Sequence, residues 1–228
     1  MEFYHPNYRS LKSLITSLQS LKHWHALRTH ALEQLGWMDS RRARKSLDQN
    51  GALPWLPYSC TQFLDQTVSV RSRILEIGGG SSTVWWLSRG NSVTTIETEL
   101  GWASEIERQC KELSLDSDVR VVDDRSISMK VVGLDAEFDV IVNDGYGDRT
   151  TVVEALLERL SPTGIIVWDN SDRAGVSDSL QDLEKNGFRV LNFFGIGPIN
   201  AYCSQTSILT RKSIEIEGRE IEFKIIEY

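Results

Sequence analysis

The sequence predicts a doubly wound α/β domain. Its sheet is mostly parallel and ends in an antiparallel edge pair, with a helical extension before it and a β-hairpin after it. Three observations carry this expectation. From residue 73 to residue 186, short apolar runs alternate with amphipathic stretches, the pattern of βαβ crossovers. Between the first such run and the first such helix stands the turn Gly78-Gly79-Gly80. Beyond residue 187 the helices stop and two apolar runs follow one another, as antiparallel neighbours do.

Taken in order, residues 10–36 read as one helix. Leu11, Leu14, Ile15, Leu18, Leu21, Trp24, Leu27, Ala31 and Leu35 recur at spacings of three and four, and Gly36 stops them. His23, His25 and His30 lie here without an acidic partner at metal-ligand spacing and read as surface or interface residues. Residues 39–58 read as irregular, broken by Asn50-Gly51, Pro54 and Pro57. Trp55 and Tyr58 in this segment are candidates to line a ligand cleft or simply to pack. A short helix at Ser59–Gln66 then leads into strands at Ile74–Ile77, Val93–Ile96, Val119–Val122, Phe138–Asn143 and Ile165–Trp168. The intervening helices fall at Ser82–Ser88, Leu100–Leu113, Arg149–Leu160 and Val176–Asn186, with a short one near Ser126. Phe188–Phe194 and Ser207–Thr210 are the antiparallel pair. Ile214 and Ile216, then Ile221, Phe223 and Ile225, alternate about a turn at Glu217-Gly218-Arg219-Glu220 as a final hairpin. The expected divisions are residues 1–66, 67–211 and 212–228, with the helix or the hairpin available to form a homodimer.

A chain of 228 residues with 40% hydrophobic and 25% charged residues is an ordinary globular composition. Its net charge of −7 argues against a protein that tracks nucleic-acid phosphates. Arg41-Arg42-Ala43-Arg44-Lys45 reads as a solvated loop or helix end. Cys60, Cys110 and Cys203 are odd in number and far apart, which fits neither a disulfide framework nor a metal site and suggests a reducing cytoplasm. Residues 1–20 hold no apolar run of signal-peptide or membrane-spanning length, so no membrane association is expected.

The glycine turn carries the chemistry. A dinucleotide fold wants a third glycine where Thr83 stands, and Glu76, two residues before Gly78, would repel a pyrophosphate. The same acid suits a cation. S-adenosylmethionine (SAM) carries a sulfonium, an ammonium and a ribose diol but no phosphate, and is the preferred ligand of Glu76, Gly78, Gly79, Gly80, Ser82 and Thr83. Acidic residues also end the following strands: Glu97, the pair Asp123 and Asp124, and Asp144. Ligands of parallel sheets bind at this edge.

Parallel strands with helices, followed by an antiparallel pair, resemble the Rossmann-like fold of class I SAM-dependent methyltransferases over residues 73 to about 211. Glu76-Ile77-Gly78-Gly79-Gly80 resembles the first motif of that family. The resemblance implies that Glu97 bonds the ribose hydroxyls, that Asp123 or Asp124 lies near the adenine, and that methyl group and acceptor meet at Asp144. Trp85-Trp86, the segment from Asn143 to Arg149, and Trp168-Asp169-Asn170 are similar to a group of small-molecule or sugar O-methyltransferases. Asp144, Asp169 and Asn170 are similar to the magnesium triad of catechol-type enzymes, which implies a Mg2+ ion that would acidify and orient the acceptor hydroxyl. Those enzymes carry a lysine where Gly147 stands here. Arg149 is the nearest cation and, always protonated, would orient an anionic acceptor or hold a carboxylate. Either Asp144 itself or the metal would then activate the acceptor. Trp85, Trp86, Tyr146 and Trp168 are candidates to stack on a ring. An aminopropyl-type transferase and a catalytically inactive SAM-binding scaffold are the alternatives on this fold.

Overall fold

The computed structural model describes residues 20–48, 50–145 and 149–212. The expected C-terminal hairpin, Tyr146 and the helical pattern before residue 20 lie outside these residues. Seven strands form the main sheet: β3 (Arg73–Ile77), β4 (Ser92–Glu97), β5 (Asp118–Val121), β6 (Phe138–Asn143), β7 (Leu160–Trp168), β8 (Phe188–Ile196) and β9 (Cys203–Arg211). Their spatial order is β5-β4-β3-β6-β7-β9-β8. The pairs from β5 through β7 are parallel, and β9 lies antiparallel between β7 and β8. The chain order reverses between β3 and β6, which places a crevice at their C-terminal ends. This is the Rossmann-like architecture expected from the alternating pattern.

Strand alternation sends neighbouring side chains to opposite cores. Ile74, Val140, Val167 and Ile208 face one cluster with Leu64, Trp86 and Ile106. Leu75, Ile77, Ile141 and Leu209 face the other with Val131, Leu156 and Leu183. Helices α2 (Tyr58–Thr67), α3 (Ser81–Ser88) and α4 (Leu100–Glu112) supply the first face, and α5 (Ile127–Val132), α6 (Val153–Arg159) and α7 (Val176–Lys185) the second. Trp85, Trp86 and Trp168 are therefore core residues, each less than a tenth exposed, and not ring-stacking platforms. Their apolar bulk fills the layers between helix and sheet.

The expectations fail mainly near the N-terminus. Residues 20–26 are helical, but Leu27–Leu32 forms a π-helical stretch, and Gly36 turns left-handed with φ of 77°. Leu21, Trp24 and Leu27 of this extension are exposed. The segment expected to be irregular holds α1 (Trp37–Ala43) and a small hairpin of β1 (Leu47–Asp48) and β2 (Gly51–Ala52). Gly51, expected to break regular structure, instead opens β2 and pairs with Asp48. The helix expected from Arg149 begins only at Val153. Among the described residues no helix is long and apolar enough to cross a membrane.

Candidate active site

The glycine turn is built by close approach. Gly78 has φ of 82°, and a Cβ there would lie 2.6 Å from the carbonyl oxygen of Asp144. A Cβ at Gly79 would lie 2.5 Å from Thr95 Cγ2. Only glycine lets the end of β3 nest against both neighbouring strands. The Gly78 amide donates to the Ile96 carbonyl at 2.8 Å, and the Asp144 amide donates to the Ile77 carbonyl at 2.9 Å. The turn and Asp144 are thus one rigid unit.

Glu97 holds the turn from beside it. Its Oε2 accepts from the Gly79 amide at 3.1 Å, and its Oε1 accepts from the amides of Thr98 at 2.7 Å and Glu99 at 3.0 Å. A carboxylate takes these otherwise orphaned donors readily. Above the turn, the Trp102 indole donates to the Gly79 carbonyl at 2.6 Å. Its ring lies 3.6 Å from where a Gly80 Cβ would stand.

Glu76 lies below the turn and is fully buried. Oε2 accepts from Thr83 Oγ1 at 2.6 Å and from Thr95 Oγ1 at 3.2 Å, while Oε1 has no hydrogen-bond partner. Burial pushes this carboxyl up from 4.5 to about 7; the hydroxyls of Thr83, Ser82 and Thr95 oppose the rise. An unpartnered buried carboxyl oxygen beneath a glycine turn favours a positively charged ligand above it. That is the electrostatic fit of a sulfonium and an ammonium, and the wrong fit for a pyrophosphate.

A cavity of about 620 Å³ opens over the turn, a size suited to small organic ligands. Gly79, Gly80, Ser82 and Asp144 line it, together with Trp55, Trp102 and Ala52. Trp55 is half exposed there, as expected of a cleft residue. Arg44, Lys45 and Ile199 also line the cavity. The loop carrying Ile199 is tied to α1: the Ser40 hydroxyl accepts from its amide at 3.0 Å, and Arg41 donates to its carbonyl at 2.9 Å. Glu76, Thr83, Glu97 and Asp169 are buried behind the cavity wall. Asp123 and Asp124 lie on an exposed turn, where Asp123 caps the short 3-10 helix Asp124–Ser126 by accepting from the Arg125 amide.

Beside Asp144, at the ends of β6 and β7, a guanidinium organises two carboxyl groups. Arg149 donates to Asp144 Oδ1 at 2.7 Å, to the Asp144 carbonyl at 3.2 Å, to the Gly145 carbonyl at 2.8 Å and to the Asp169 carbonyl. It also stands 3.7 Å from Asp169 Oδ2. The Asn143 side chain pins this segment by donating to the Arg149 carbonyl at 2.9 Å. Asp169 Oδ1 accepts from Thr206 Oγ1 at 2.5 Å. Removal from water, then the nearby Asp169 charge, raise the Asp144 carboxyl well above the ordinary aspartate range, against the pull of Arg149. Burial likewise raises Asp169, and Thr206 and Arg149 oppose it. About a third of the Asp144 side chain stays open, against a twentieth of Asp169.

Residues 75–171 match the profile of the family described as a methyltransferase domain. No curated protein sequence matches the chain. A Klebsiella pneumoniae protein proposed to be an O-methyltransferase superposes with a TM-score of 0.55 at 17% identity, covering 85% of this chain and 97% of that one. The C-terminal domain of precorrin-6Y C5,15-methyltransferase from Rhodobacter capsulatus gives 0.53 at 14% identity, covering 75% and 96%. An rRNA methylase from Streptococcus thermophilus gives 0.52 at 13% identity, covering 68% and 95%. At such identities the neighbours establish the fold, and their acceptors differ widely.

The matched stretch runs from β3 to the turn after β7 and contains every strand-end acid described above. The glycine turn opens to the cavity, and Glu76 is buried beneath it. The structure brings Asp144 and Asp169 together beside Arg149, with Asn170 next in the chain. Among the described residues no group of three His, Cys, Asp or Glu side chains is placed to hold an ion. Asn170 sits in a left-handed turn with φ of 48°. Sequence reasoning missed Trp102, the hydroxyls of Thr95 and Thr206, and the bridging position of Arg149. Thr95 and Thr206 are fully buried polar residues in strands, a burial that no sequence pattern announces.

Proposed function

We propose that the protein is a SAM-dependent methyltransferase acting on an oxygen atom of a small molecule or sugar, with Asp144 as the proton acceptor. The observation that carries this reading is Asp144 itself. Its carboxyl is partly open to the cavity shared with Gly79 and Gly80, held by Arg149, and raised in pKa. A carboxyl with a pKa moved toward neutrality is a better base than a free aspartate.

SAM supplies a methyl group on a sulfonium; the acceptor oxygen forms the new O–C bond as the S–C bond breaks and S-adenosylhomocysteine leaves. The glycine turn lets the cosubstrate approach the backbone, and Glu76 offsets its positive charge from below. Asp144 takes the hydroxyl proton. Arg149 and Asn143 keep Asp144 at the end of β6, so the base and the turn keep one spacing. Trp55, Ala52 and the Ile199 loop shape the acceptor side. A net charge of −7 favours a small acceptor over a phosphate backbone.

The test is calorimetric titration with SAM, S-adenosylhomocysteine and NAD, followed by S-adenosylhomocysteine release in the presence of hydroxylated small molecules and of RNA. Binding of the two sulfur compounds and turnover with a hydroxylated acceptor are expected. Binding of NAD alone would sink the assignment, and turnover confined to RNA would overturn the acceptor class.

A further inference from the structure

We propose that the Arg149 guanidinium takes the place of a divalent cation between Asp144 and Asp169, so that this site organises its carboxylates without a metal. The argument is one of donors and charge. The metal reading needs lone pairs of Asp144 and Asp169 converging on one open point. Here Asp144 Oδ1 accepts from Arg149 at 2.7 Å, and Asp169 Oδ1 accepts from Thr206 at 2.5 Å. Asp169 Oδ2, the remaining oxygen, faces the same guanidinium at 3.7 Å. The two carboxylates therefore do converge, but on an organic cation.

That cation is fixed. The Arg149 side chain is only 6% exposed. Its other N–H groups donate to the carbonyls of Asp144, Gly145 and Asp169, at the ends of both β6 and β7. Asn143 holds its main chain. A planar guanidinium has a rigid fork of donors and stays charged at any working pH. It can therefore span two strand ends as a bound ion would. A divalent ion entering beside it would meet a like charge, with one oxygen of each carboxyl already hydrogen-bonded. Arg149 acts here as a positioning residue, because it reaches the acceptor only through Asp144.

Manganese binding tests this, read by loss of the free Mn2+ signal in electron paramagnetic resonance, with and without S-adenosylhomocysteine. Wild type should show no binding below millimolar Mn2+. Arg149→Met, which keeps length and removes charge, should bind Mn2+ at least about 100-fold more tightly than wild type. That gain should vanish when Asp169→Asn is added. Micromolar binding to wild type that is lost in Asp144→Asn would overturn the proposal, as would a folded Arg149→Met that gains nothing. Should Arg149→Met fail to fold, the wild-type titration and its Asp144→Asn control still decide. Arg149→Lys, which retains charge but not the fork, should stay blind to Mn2+ while shifting the pH profile of turnover; metal binding by it would count against the proposal. The metal readout is independent of methyl transfer, and S-adenosylhomocysteine affinity in the same samples reports on the methyltransferase assignment separately.

Discussion

Replacing Glu76 by Gln should flatten part of the pH dependence of folding stability. The native carboxyl is pushed from 4.5 up to about 7 by burial, with two hydroxyls on Oε2 and nothing on Oε1. In the unfolded chain the same group titrates near its ordinary value. Between those two values the native state holds a proton that the unfolded state has released, so stability falls as pH rises through the window. The favourable term is fully present below the unfolded pKa and is lost as pH passes the native one. A shift of about 2.5 pH units corresponds to on the order of 3 kcal/mol. The amide variant has no such charge to bury. Urea denaturation followed by circular dichroism at about pH 5, 6, 7 and 8 measures both proteins. Buried acids that Glu76 does not touch cancel in the difference between them, while Asp144, which the Glu76 charge helps to raise, leaves a smaller contribution of its own. The Gln variant should gain on wild type between about pH 5 and 7 and level off above that. A difference constant to within about 0.5 kcal/mol across that range would refute the reasoning. A cation bound above the turn should draw the Glu76 pKa down. SAM binding near neutral pH should then release a proton, seen by calorimetry in buffers of different ionisation enthalpy and absent from Glu76→Gln.

The remaining predictions concern the turn and its rim. Turnover should rise with pH through a midpoint above the ordinary aspartate value, since Asp144 must lose its proton to act. Asp144→Asn should lower kcat by about 100-fold or more while leaving S-adenosylhomocysteine affinity largely intact. Gly78→Ala should destabilise the fold by at least about 2 kcal/mol in denaturant titration, from left-handed strain plus the contact with the Asp144 carbonyl. Trp102→Ala should weaken S-adenosylhomocysteine binding by about 10-fold in calorimetry, by uncovering the Gly79 carbonyl and the face of the turn. Trp102→Phe, which keeps the ring and loses the N–H, should fall between it and wild type.

How much of this was legible in the sequence depends on whether a signal repeats. The sheet was legible because short apolar runs recur between amphipathic stretches, and the strand-end acids because the edge where they stand is dictated by topology. Glu76, Glu97 and Asp144 follow from that alone. Their partners do not. Thr95 and Thr206 sit at inward positions of apolar strands, and only the three-dimensional register reveals that each hydroxyl meets a carboxyl. Glu97 shows the limit differently. Its acid was legible, but not that its oxygens accept from the Gly79 amide of the turn and from the Thr98 and Glu99 amides beyond β4. Asp123 was legible as a strand-end acid and serves a local cap on an exposed turn. Arg149 is the sharpest case. Read along the chain, it lies five residues beyond Asp144 in a segment expected to be helical, and a helix would carry its side chain onward with the chain. In the structure the helix starts later, at Val153, and the guanidinium turns back to bridge the ends of β6 and β7. A motif read from strand-end oxygens can therefore suggest a metal, because the ligands are strand-borne and periodic. The cation that competes for those oxygens comes from a loop, where no periodicity announces it.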